Sequence, residues 1–97
     1  MSLPLTATKI KAACAKLPGW KVKGNALTKT FTFATFREAL AFMVCAGFEA
    51  EEMNHHPEWT NVYNRVAVRL STHDAGGRIT AKDVKLARRL QAVSWVG

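Results

Sequence analysis

The chain has 97 residues, 48% of them hydrophobic and 22% charged, which gives room for one domain around one modest core and not for two. Fourteen Lys and Arg against seven Asp and Glu leave a formal charge of +7, so an anionic partner has to be weighed. No apolar run approaches the ~20 residues that cross a bilayer, and the first ten residues lack the basic start and apolar run of a secretory leader.

Thr8 is placed to cap a first helix running from Lys9 to Leu17, with Ile10, Ala13, Cys14 and Leu17 on one side. Pro18-Gly19 stops it. Trp20 to Lys23 alternates apolar and basic, Gly24-Asn25 is a turn, and Leu27 to Phe33 alternates again. Leu27, Phe31 and Phe33 share one face of that strand while Thr28, Thr30 and Thr32 share the other, which predicts a hairpin with one buried side. Thr35 opens a second helix with Glu38 as its capping-box partner. Its stripe of Phe36, Leu40, Met43, Val44, Gly47 and Phe48 is expected to face the core. The helix should fade between Glu51 and Met53, because Asn54 and Pro57 disfavour continuation.

Trp59 to Val62 reads as a strand, Tyr63-Asn64 as a tight reversal, and Arg65 to Ser71 as a second strand. There Val66, Val68 and Leu70 face one way, Arg65, Ala67 and Arg69 the other. His73 to Arg78 holds Asp74 and Gly76-Gly77 and is expected to be loop. Thr80 with Asp83 starts a last helix to about Trp95, with Leu86, Leu90 and Val93 inside and Lys82, Lys85, Arg88 and Arg89 outside. The expectation is an α+β fold in the order α-β-β-α-β-β-α: one two-layer domain over residues 1–97, a four-stranded antiparallel sheet with three helices on one face.

The basic residues are scattered rather than clustered, and no aromatic-basic RNA motif, paired zinc ligands or basic zipper accompanies them. A solvated basic surface is the first reading, a small anionic ligand the second, and nucleic acid the last. Cys14 and Cys45 lie in apolar helical segments and are expected to be reduced thiols of a cytoplasmic protein.

The three histidines sit at element ends, His55-His56 before the third strand and His73 after the fourth, where side chains can reach a pocket from a rigid scaffold. An antiparallel hairpin should return His73 toward the pair. Zinc is a poor match, since the helical His pairing of HExxH is missing and adjacent side chains seldom converge on one ion. Ser71 and Ser94 lack a nucleophile elbow. Imidazole titrates near 6.5, so both protonation states exist near neutrality, and proton transfer suits these residues best.

Glu51, His55, His56, Pro57, Tyr63, His73 and Asp83 match, at every spacing, the signature of the pterin-4a-carbinolamine dehydratase family. The strings Asn54-His55-His56-Pro57-Glu58-Trp59, Asn61-Val62-Tyr63-Asn64 and Leu70-Ser71-Thr72-His73 are also similar, and the resemblance spans essentially the whole chain. Asn54 stands where animal members commonly have Asp. The resemblance implies a lyase that eliminates water from a 4a-hydroxy-tetrahydropterin and returns the quinonoid dihydropterin used by aromatic amino acid hydroxylases. It implies no metal and no organic cofactor, the pterin being the substrate.

It further implies His55, His56 and His73 as the catalytic set, with Glu51 as an orienting carboxylate. Substrate contacts would come from Asn54, His55, His56, Trp59, Ser71, Thr72, His73 and Asp74. Trp59 and Tyr63 serve either as borders of the pterin or as packed hairpin aromatics; Glu52 is expected to be solvated and Asp83 to be a helix cap. A homodimer or homotetramer is expected, with no nucleic-acid or membrane partner. A non-catalytic dimerisation module is the alternative on the same scaffold.

Overall fold

A computed structural model describes residues 3–96. Along them run α1 (Ala7–Cys14), β1 (Lys21–Lys23), β2 (Ala26–Thr32), α2 (Phe36–Met53), β3 (Glu58–Val62), β4 (Arg65–Leu70), a 3-10 turn (His73–Ala75), α3 (Ala81–Val93) and a closing 3-10 turn (Ser94–Val96). The order α-β-β-α-β-β-α is as the periodicities predict. The strands form one antiparallel sheet in the order β1-β2-β4-β3. Val66, Val68 and Leu70 of the central β4 are buried while Arg65, Ala67 and Arg69 are exposed, so one sheet face carries the helices and the other is open.

Strand register decides which segments meet. Leu27 pairs with Leu70 and Phe31 with Val66 across β2 and β4. Glu58 pairs with Arg69 and Val62 with Arg65 across β3 and β4. The hairpin therefore brings the start of β3 beside the end of β4, which carries His55-His56 and Ser71-Thr72-His73 to the same end of the sheet. Phe42 of α2 is fully buried between Phe31 and Phe33, at 4.6 and 5.2 Å between ring centroids. That aromatic cluster ties α2 to β2.

Local expectations fail at informative places. The cap of α1 is Thr6, whose hydroxyl accepts the Lys9 amide, and the helix begins two residues early. Glu38 bonds the Ala34 amide rather than that of the cap residue Thr35, so the predicted box is displaced by one residue.

The largest departure concerns α2. Its inward residues are Ala39, Phe42, Ala46 and Ala50, whereas Phe36, Leu40, Val44 and Phe48 face outward. Of the predicted inner stripe, Met43 packs on the core and Gly47 is half-buried. The helix is apolar around most of its circumference, and three small alanines allow it to lie close to its neighbours. Bulk alone pointed to the wrong face.

Lys29 lies on the core side of β2, between Leu27 and Phe31. Its ammonium donates to the Pro18 carbonyl at 2.8 Å and to Gln91 Oε1 at 2.7 Å, and sits 4.7 Å from the Phe31 ring centroid. Trp20 Nε1 donates to the same Gln91 oxygen at 3.3 Å. Desolvation lowers the Lys29 pKa from its ordinary value. Arg89, expected outside, bends to Glu52 at 2.9 Å and Glu49 at 3.6 Å and so pins α3 to α2; Glu52 is exposed yet engaged. Cys14 and Cys45 are free thiols, each half-buried. Among the described residues no helix is long and apolar enough to cross a membrane.

Candidate active site

Two neighbouring histidines serve different surroundings because of the residue before them. Asn54 ends α2 in the left-handed conformation, at φ 51° and ψ 42°, and the His55 amide closes back onto the Ala50 carbonyl at 3.0 Å. Asn tolerates that region better than other side chains. The turn sends His55 inward beneath α3 and leaves His56 outside. The His55 side chain is 10% exposed, that of His56 57%.

Asp83, the third residue of α3, is completely buried. Its Oδ2 accepts the Thr80 amide at 2.8 Å, which closes the capping box, and the Thr72 hydroxyl at 2.7 Å. Its Oδ1 lies 2.6 Å from His55 Nε2. Thr72 and Thr80 share a further bond at 2.6 Å between hydroxyl oxygens. A buried carboxylate is tolerated when such partners satisfy it, and short charge-assisted bonds are the strong ones. Asp83 is thus a cap, as the sequence indicates, and also the anchor of His55, which it does not. A contact across 28 positions leaves no local signal; the signature spacing to Asp83 was the available hint.

The other predicted residues divide. His56 Nε2 lies 2.7 Å from Glu51 Oε1, an exposed pair five positions apart across the end of α2. His73 and Asp74 are exposed on the 3-10 turn, held by a Thr72 amide to Arg78 carbonyl bond of 2.9 Å that closes the loop. Asn54 is exposed and Ser71 half-buried. Thr72 is buried with its hydroxyl committed to Thr80 and Asp83, so that side chain faces the interior instead of a ligand. Trp59 is half-buried and packs on the core. Tyr63 lies in the β3–β4 turn, a strand length of about 16 Å from the histidine end, and does not border it.

A surface groove of about 780 Å³ crosses the open sheet face between Lys21, Thr28, Thr60 and Arg69, and no histidine lines it. Among the described residues, no group of three or more His, Cys, Asp or Glu is arranged to hold a metal ion. This end of the sheet offers one imidazole fixed by a buried carboxylate, a second beside an exposed one, and a third exposed on a loop, a set suited to moving protons.

Residues 3–93 match the family model described as pterin 4 alpha carbinolamine dehydratase. A protein of Opitutus terrae named for pterin-4-alpha-carbinolamine dehydratase is 60% identical over 93 residues, covering 96% of each chain. The crystal structure of a transcriptional coactivator/pterin dehydratase from Brucella melitensis is similar with a TM-score of 0.89 and 42% identity, over 94% of this chain and 98% of that one. A pterin dehydratase-like protein described as a RuBisCO assembly factor of the alpha-carboxysome shares the fold, at 22% identity and a TM-score of 0.63, over 77% of this chain and 86% of the other.

Proposed function

The chain belongs to the pterin-4a-carbinolamine dehydratase family and has that hydro-lyase activity, and from this premise we propose that His55, His56 and His73 carry the elimination. In the reaction the proton on ring nitrogen N5 is removed, the C4a–oxygen bond breaks, and the departing hydroxyl takes up a proton to leave as water. The electron pair from N5 forms the C4a–N5 double bond of the quinonoid dihydropterin. One group must accept a proton and another must deliver one, and histidines on two sides of the ring divide those tasks. Glu51 orients His56. Asn54, Ser71, Asp74 and the Thr72 backbone border the ring, with Trp59 as supporting wall.

The observation that carries this reading is the 2.6 Å contact between the nearly buried His55 and the fully buried Asp83. A solvated histidine has no need of such an anchor. The test follows the decay of 4a-hydroxy-tetrahydropterin with purified protein, and with His55→Ala and His73→Ala. Each substitution should lower kcat by on the order of 10²–10⁴-fold, with the far-ultraviolet circular dichroism of His73→Ala unchanged because that side chain is exposed. Unaltered rates in both variants would remove His55 and His73 from the mechanism.

The outward stripe of α2 and the exposed edges of β1 and β3 support a further part of the reading, self-association in a cytoplasmic enzyme. The stripe repeats every four residues from Phe36 to Phe48, which is the spacing of a helix seam. A second copy, presenting the same stripe about a two-fold axis, is its occupant. An aromatic amino acid hydroxylase is the source of the carbinolamine and the user of the recycled pterin.

A further inference from the structure

The bonds around Asp83 fix which nitrogen of His55 meets the substrate, and we infer that it is Nδ1, held ready as a proton acceptor by the buried Thr80–Thr72–Asp83 chain. The inference rests on the dehydratase reading and assigns one of its two proton tasks.

The donor directions run one way. Thr80 Oγ1 accepts the Lys82 amide at 3.2 Å, which leaves its own hydrogen to donate. Thr72 Oγ1 donates to Asp83 Oδ2, so in its bond with Thr80 it is the acceptor. The Thr80 amide donates to that same Oδ2, and a backbone N–H cannot reverse. Oδ2 is therefore an acceptor fixed by two donors. A carboxylate carries no hydrogen and can only accept, so the 2.6 Å contact to Oδ1 places the proton on His55 Nε2.

In the neutral ring the other nitrogen, Nδ1, then carries the lone pair. Among the described residues no buried side-chain nitrogen lacks a partner. With Nε2 committed to Asp83, Nδ1 belongs to the tenth of the side chain that stays exposed. It is an acceptor at the surface, suited to take the N5 proton, while the imidazolium so formed is stabilised by Asp83 at its back. Delivery of a proton to the hydroxyl then falls to His73 or His56. Asp83, Thr72 and Thr80 act through His55 and are positioning residues.

The arrangement makes Asp83→Asn diagnostic. The Thr80 amide, a donor that cannot reverse, faces the Oδ2 position, so the introduced amide must set its oxygen there and its NH₂ toward His55. Nε2 must then be bare, the proton moves to Nδ1, and the exposed nitrogen becomes a donor. The experiment is a long-range ¹⁵N–¹H spectrum of the labelled full chain, recorded where His55 is neutral and assigned against His55→Gln, alongside kcat and KM for the 4a-hydroxy-tetrahydropterin.

In the unsubstituted protein the ring should be protonated at Nε2. In Asp83→Asn the tautomer should invert and kcat should fall on the order of 10²–10⁴-fold with little change in KM, as the same exchange does to histidine-orienting aspartates in hydrolytic triads. A ring protonated at Nδ1 in the unsubstituted protein overturns the inference without recourse to any variant. So does an Asp83→Asn protein that keeps the Nε2–H tautomer or full kcat. The spectrum needs no substrate: a protein with the expected tautomer but no turnover sinks the dehydratase reading, and the base role with it, whereas the wrong tautomer in an active enzyme sinks this inference alone.

Discussion

Replacing Phe48 with Glu should separate assembled copies while leaving the individual fold untouched. Phe36, Leu40, Val44 and Phe48 are 44%, 47%, 52% and 71% exposed. With an aromatic side chain offering 150–250 Å², the stripe presents roughly 400 Å² of apolar surface per copy, within the size range where patches are usually functional. Two such faces meeting remove roughly 800 Å² from water, worth about 20 kcal/mol at 25 cal/mol per Å² before a cost of about 4–15 kcal/mol for association.

Phe48 supplies about a third of that area, so its loss in both copies removes on the order of 7 kcal/mol, or about five decades in the association constant. The introduced carboxylates add like-charge repulsion across the two-fold axis. Sedimentation velocity at micromolar concentration should show the unsubstituted chain assembled and the variant as a monomer. Thermal unfolding of the variant at high dilution should match the original to within about 0.5 kcal/mol, as for an exposed surface change. An unsubstituted chain that sediments as a monomer, or a variant that sediments like the original, would refute the assignment of this stripe to a second copy.

Phe42→Ala should behave oppositely, costing about 3–5 kcal/mol in urea unfolding without altering the surface; a cost below about 1 kcal/mol would mean that the aromatic cluster with Phe31 and Phe33 does not hold α2 to the sheet. Lys29 gives a pH signature. Its folded pKa is lowered from 10.5, so between the two values the unfolded chain binds more protons, and stability from this group rises with pH across that window. The difference in unfolding free energy between the unsubstituted chain and Lys29→Met should therefore move in favour of lysine as pH rises from the lowered folded pKa toward 10.5. A constant difference, or one moving the other way, would show that the ammonium is not desolvated in the fold.

The parts legible in the sequence are those governed by short-range rules. The period of two in Arg65–Ser71 marks the central strand because burial on one face alone forces alternation there. The Thr80 and Asp83 pair marks the start of α3 because capping acts within four residues. Where two faces of one element are apolar, as on α2, periodicity has no means of ranking them; the core chose the alanine-bearing side for its close approach. Lys29 was hidden for a related reason, since a cation among core positions becomes intelligible when Pro18 and Gln91, from distant parts of the chain, supply its acceptors.

At the site, the arrival of His55-His56 and Ser71–His73 at the same end of the sheet could be read from antiparallel register. What was not legible is the division of labour inside those segments. Thr72 and His55 turn to the same buried carboxylate while their neighbours His73 and His56 stay in water. Sequence adjacency conceals that difference.

The left-handed residue at Asn54 makes the segment after α2 a matter of length more than of side-chain identity. Glycine at that position would keep the turn, since it too enters that conformation freely. Adding or removing one residue between Ala50 and Glu58 would instead advance the chain by one place, deliver His56 or Asn54 to the slot beside Asp83, and leave the β3 pairing to absorb the slip. Homologous sequences diverging from this one can drift in composition there, but their spacing from the end of α2 to the first residue of β3 should hold.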